Sequence, residues 1–176
     1  MKRFKVTDMG GDSLVLGMQV TRDRQEKTIM ISHENYTRSI LEKSGMADCK
    51  PVSTPGFGKE LSTNQPEGTL LNEEETQRFQ AIIGSVMYLT QIMRYDVMYS
   101  TCQLARAMSK SSKAHMGAAK HLLRHLAGTL DFSPVYKKGG FKLTAFFDSN
   151  WGNNPDSGKS TSCYIMMFCK APVSFR

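Results

Sequence analysis

The sequence contains no paired cysteines. Its four thiols, Cys49, Cys102, Cys163 and Cys169, are scattered, and no two stand in a CxxC spacing. A structural zinc site needs clustered ligands and a disulfide framework needs an oxidising compartment, so neither organises this chain. No stretch approaches the ~20 apolar residues that span a bilayer. The opening MKRFKVTDMGG has early basic residues without the apolar core of a secretory signal. An intracellular chain with no membrane partner is the expectation. His121 and His125 stand four apart, but the glutamate of an HExxH motif is missing. With Lys120 and Arg124 beside them, they read as a solvated basic face rather than metal ligands. No Asp-Asp dipeptide, internal repeat or low-complexity tract occurs anywhere.

What is present is a globular composition: 176 residues, 40% hydrophobic and 22% charged. The net charge of +7 is unevenly placed, because residues 101–145 carry eight basic side chains against the lone Asp131. Such a segment suits either a polyanionic partner or a solvated surface.

Residues 14–22, LVLGMQVTR, read as a strand, and TIMIS at 28–32 as its hairpin partner across DRQEK. Ser32 is placed to cap a short helix bearing Tyr36, Ile40 and Leu41, with Gly45 at its end. Residues 50–69 read as a linker or long loop. Asn72 and Glu75 form a capping-box pattern opening a helix with Phe79, Ile82, Ile83 and Val86 at helical spacing. A second helix is expected from about Asp96, with Val97, Thr101, Leu104, Ala105 and Met108 on one face. A third follows Ser112 and stops near Gly128, burying Met116, Ala119, Leu123 and Leu126. Its other face shows Lys113, Lys120, His121 and Arg124. The period then changes: PVYKK, KLTAFFD and TSCYIMMF read as strands, the first two joined by a hairpin at Gly139-Gly140. Trp151 reads as a core or cover residue.

Several segments in this order resemble one family. LVLGMQVTRDR, IMISHENYTRSILEKSGMADCKPVSTP, IGSVMYLTQIMRYDVMYS, KAHMGAAKHLLRHLAGTLDF and VYKKGGFKLTAFFDSNWGNNPDSGKSTSCYI are similar to the Pol polyprotein of copia-type LTR retrotransposons. The similar part is the end of reverse transcriptase and the start of RNase H. The resemblance implies an α+β chain in three parts. Residues 1–56 would close the palm and begin the thumb, with a primer-grip-like hairpin at Leu16, Gly17 and Met18. Residues 57–131 would be linker and helical thumb or connection. Residues 132–176 would hold the first strands of an incomplete, antiparallel RNase H-like sheet.

The resemblance also assigns chemistry. Asp148, at the end of the run FFD, matches the first catalytic and metal-binding carboxylate of RNase H, and Mg2+ is the cofactor of the parent enzyme. Two-metal cleavage requires several converging carboxylates, and after Asp148 this sequence offers only Asp156. The paired aspartates of the polymerase are absent as well. The chain alone is therefore expected to bind no cofactor and to be catalytically silent. Its partners would be the remainder of the Pol polyprotein and an RNA–DNA or DNA duplex backbone, held by Lys113, Lys120, Arg124, Lys137 and Lys138. A solvated face is the competing reading of those cations. Departures from the family pattern are Tyr95 for proline, Asn150 for aspartate, Cys163 for glycine, and Pro134 inside an apolar strand. Both faces of the strands in 141–176 are apolar, so this part is expected to pack on the helices or to self-associate, and to be the least stable.

Overall fold

A computed structural model describes residues 14–58, 61–139 and 142–176. Residues 1–13, where a secretory signal would lie, Gly140 of the anticipated hairpin and Phe141 lie outside the described residues. Among the described residues the fold is mixed α/β, with four α-helices and two antiparallel sheets. Among the described residues no helix is long and apolar enough to cross a membrane.

The helices supply the core. Helix α1 spans Glu34–Lys43, α2 Glu73–Ile92, α3 Met98–Ala105 and α4 Lys113–Ala127. Phe79, Ile83, Val86 and Leu89 recur at three- and four-residue intervals along α2 and are completely buried. They meet Ala119, Leu122, Leu123 and Leu126 of α4, with Ile40 and Leu41 of α1 and Leu104 of α3 closing the cluster. Each large side chain removed from water here stabilises the fold by about 1.5–3 kcal/mol. The capping box at the start of α2 forms as expected. The Asn72 side chain accepts from the Glu75 N–H at 2.9 Å, and the Glu75 carboxylate accepts from the Asn72 N–H at 3.1 Å. Ser112 caps α4 in the same reciprocal way, with His115 in the third position.

Three local expectations are corrected. The run at 14–22 is not one strand. Strands β1 (Leu14–Val15) and β2 (Met18–Asp23) pair across a two-residue turn in which Leu16 (φ +52°) and Gly17 (φ +79°) are both left-handed. The cap of α1 is His33, not Ser32, whose hydroxyl only accepts a 3.3 Å bond from the Glu34 N–H. Strand β4 (Val135–Lys137) does not form a hairpin with β5 (Thr144–Ser149). It pairs instead with β3 (Thr28–Ser32), giving one sheet in the order β1-β2-β3-β4. Both sides of β4 are occupied: Ile31 donates to the Pro134 carbonyl at 3.2 Å, and on the far side Lys137 donates to Cys169 at 2.9 Å. No edge of β4 is left for β5.

The second sheet has the order β5-β6-β7, with β6 at Ser162–Phe168 and β7 at Ala171–Phe175. It meets the rest of the molecule through β7 and its neighbours. The Tyr136 hydroxyl donates to the Pro172 carbonyl at 2.8 Å, and the Tyr95 and Phe175 rings lie 5.6 Å apart. Residues 50–58 are no free linker, since they lie along α4. Val52 donates to the Arg124 carbonyl, and the Phe57 ring packs edge-on to His121.

Candidate functional site

Asp148 stands on β5 opposite Cys163 and is exposed. One of its oxygens, Oδ1, accepts from the N–H of Ser149 at 2.9 Å. It borders a cleft of about 650 Å³ between α3 and the β5–β7 sheet, whose walls include Tyr95, Cys102, Phe146 and Tyr164. The only later aspartate, Asp156, is engaged elsewhere. Its carboxylate accepts from the Ser62 hydroxyl, from the Thr63 N–H at 2.8 Å and from the Thr63 hydroxyl at 2.7 Å, and it pairs with Arg106 at 3.1 Å. The Ser62 bond, with the Thr63 bonds and Arg106, holds its carboxyl well below the usual carboxylate range. Among the described residues, no three His, Cys, Asp or Glu side chains converge as metal ligands. A Mg2+ pair needs more hard oxygen ligands than the lone Asp148 offers, so the residues present do not fit it.

The basic residues are divided among elements. Lys113 and Lys120 are exposed on α4. Arg124 turns aside to donate its Nε to the Lys50 carbonyl at 2.6 Å, and the His121 ring contacts the Thr54 carbonyl at 3.0 Å. Lys137 lies on β4, 3.7 Å from Glu26, and Lys138 follows it, its N–H bonded to the Lys27 carbonyl. His125 is not on a solvated face. It is 4% exposed, with Nε2 at 3.4 Å from Asp96. Trp151 is neither core nor cover, because 97% of it is exposed.

The Leu16-Gly17 turn has a support that sequence reading missed. Tyr88 donates its hydroxyl to the Leu16 carbonyl at 3.2 Å, while its ring packs edge-on to both Tyr36 and His33. Burial lowers the pKa of His33, whose ring sits beneath the turn. Met18 follows, half-buried, at the start of β2. A second missed element is Arg94, 3% exposed. It holds both oxygens of Asp96 at 2.9 and 2.8 Å and also donates to the carbonyl and hydroxyl of Thr129. Two of the departures from the family pattern find local roles: Tyr95 packs on Phe175, and the Asn150 side chain accepts from the Thr161 N–H at 2.7 Å.

Comparison with known proteins agrees with the family suggested by the sequence. The chain is 27% identical over 178 residues to the retrovirus-related Pol polyprotein from transposon TNT 1-94 of Nicotiana tabacum, covering 99% of this chain and 13% of that protein. It is 31% identical over 175 residues to the retrovirus-related Pol polyprotein from transposon RE2 of Arabidopsis thaliana, covering 99% of this chain and 12% of that protein. An uncharacterized mitochondrial protein of Arabidopsis thaliana is 30% identical over 161 residues, 90% of this chain and 64% of that one. No protein-family model matches, and no solved structure matches. The chain thus spans about an eighth of the Pol polyproteins it resembles, and it belongs to the retrovirus-related Pol polyproteins of copia-type retrotransposons.

Proposed function

We propose that this chain is the span of a Pol polyprotein that leads from the end of reverse transcriptase into the first strands of RNase H, and that by itself it catalyses neither reaction. The observation that carries the reading is the solitary Asp148: it stands near the end of β5, the strand that the resemblance would make the first of RNase H, while Asp156 is committed to Ser62, Thr63 and Arg106. One carboxylate cannot organise the two ions of an in-line phosphodiester cleavage. The Leu16-Gly17-Met18 turn, standing on Tyr88, supports the primer-grip-like assignment of the first hairpin. The test is an assay of the purified chain on a labelled RNA–DNA hybrid and on a primed template, with Mg2+ and with Mn2+. No product above buffer is expected. Cleavage that vanishes in Asp148→Asn would overturn the proposal.

A second reading, a module that holds a nucleic-acid backbone, is favoured by the exposure of Lys113 and Lys120 on one helix. Binding of that kind is indifferent to sequence and driven by counterion release. Lys113→Ala with Lys120→Ala should then lower the salt slope by about 2, near 0.9 per lost B-DNA phosphate contact. An unchanged slope leaves these lysines as solvated surface.

A further inference from the structure

We infer that the open edge of β5 is a self-recognition surface, pairing antiparallel with the β5 of a second copy of this chain about a two-fold axis at Ala145. The inference is independent of the function proposed above. Tyr164 of β6 lies opposite Phe147, yet its N–H and its carbonyl are both bonded to Arg176, at 3.0 Å each. Phe147 therefore belongs to a non-hydrogen-bonded pair of the β5–β6 ladder, and its own N–H and C=O face away from β6. The neighbouring Asn150, which donates to Thr161 at 3.0 Å, fixes the same alternation. Ala145, Phe147 and Ser149 thus present their backbone groups to the free edge, while Thr144, Phe146 and Asp148 turn theirs toward β6. The N–H of Ser149 is already satisfied by the Asp148 carboxylate, but the groups of Ala145 and Phe147 have no neighbouring strand among the described residues.

An exposed edge with apolar side chains on both faces is a template for another strand. Leu143, Phe146 and Phe147 are 60%, 58% and 73% exposed. What selects a second copy is the pattern of KLTAFFD, residues 142–148. In an antiparallel pairing centred on Ala145, Leu143 meets the second copy's Phe147 and Thr144 meets its Phe146. Lys142 meets its Asp148, and by symmetry the same ion pair forms twice. The edge-facing residues pair with edge-facing residues, as the hydrogen bonds require. Lys142 and Asp148 fall in the closer, non-hydrogen-bonded positions, where cross-strand charge pairs interact best. A register centred one residue later, on Phe146, would set Asp148 against Thr144 and Lys142 against Asn150, leaving both charges without partners. The chosen register joins two three-stranded sheets into one of six strands and covers both β5 edges at once.

Sedimentation of the whole chain over a hundredfold range of concentration tests this. A reversible dimer is expected. Asp148→Lys alone or Lys142→Asp alone should weaken it about tenfold, since two attractive pairs become two repulsive ones. The double exchange Lys142→Asp with Asp148→Lys should restore the parental affinity and so shows that the single variants fold. Under mild oxidation Ala145→Cys should give a disulfide-linked dimer, whereas Thr144→Cys and the parent should not, because only position 145 faces itself. A chain that stays monomeric throughout would overturn the inference. So would a dimer indifferent to the single reversals, or one that the double exchange fails to restore.

Discussion

Helix α2 and strand β5 place large apolar side chains in opposite surroundings. Phe79, Ile83, Val86 and Leu89 of α2 have no exposure, whereas Phe146 and Phe147 of β5 are 58% and 73% exposed. The cause is geometric. A helix with a single apolar stripe can be covered by three neighbours, and α1, α3 and α4 cover it. A strand with apolar residues on alternate positions of both faces needs a layer on each side. The β5–β7 sheet touches the molecule mainly through β7, where Ala171 and Pro172 are buried. Most of the stability thus lies in the helical cluster, and β5 is left as available surface.

The sharpest way to break this contrast is a pair of truncations. Phe79→Ala should cost about 3–5 kcal/mol, the range for emptying a packed aromatic site. Phe147→Ala should change stability by less than about 0.5 kcal/mol. Urea unfolding of both variants would measure this, and comparable losses would erase the distinction. A smaller effect is expected at the polar seam beside the cluster. Asp96→Asn should cost about 2–3 kcal/mol, because it leaves the buried Arg94 guanidinium without its carboxylate, while Asp96 itself keeps some contact with water. Burial works against the ionised form of Asp96, but the bonds and charge of Arg94, with His125, outweigh it and hold its pKa below the ordinary value. A carboxyl depressed in the folded state contributes stability that is complete above its unfolded pKa of about 3.9 and is lost as pH falls through the folded value. The Asn variant should therefore show a shallower loss of stability on acidification. The smallest effect belongs to the β6–β7 turn, where Cys169 (φ +51°) and Lys170 (φ +68°) are both left-handed. Lys170→Gly should relieve that strain and raise stability by about 0.5 kcal/mol, net of the greater freedom glycine has when unfolded. A shift in urea midpoint at constant slope would register it.

The helices were the legible part of the sequence, because their signals are local. Asn72 with Glu75, Ser112, Gly45 and the spacing of Phe79, Ile83 and Val86 each act within one or two turns. Pairing between strands is decided at a distance, and there the sequence misled. Gly139-Gly140 is a genuine turn signal, but β4 already has its two edges engaged by Ile31 and Cys169, partners far away in the chain. The continuous strand at 14–22 failed for another reason: Leu16 adopts a left-handed conformation that residue preferences disfavour, and Tyr88 holds it. For the candidate site, the solitary Asp148 was readable from the scarcity of acids after it. The commitment of Asp156 to Ser62, Thr63 and Arg106 was not, since no local pattern links residues fifty or more apart. His125 was misread because a spacing of four on a basic helix cannot reveal which flank carries the Asp96 partner.

Native-state hydrogen exchange tests the central claim most directly, at a concentration where sedimentation shows a monomer. Amides of Ala119, Leu122, Leu123 and Leu126 in α4 should exchange only through global unfolding, while those of β5 should exchange through a smaller opening, with Ala145 and Phe147 fastest. Protection across β5 equal to that of α4 in the monomer would contradict the account.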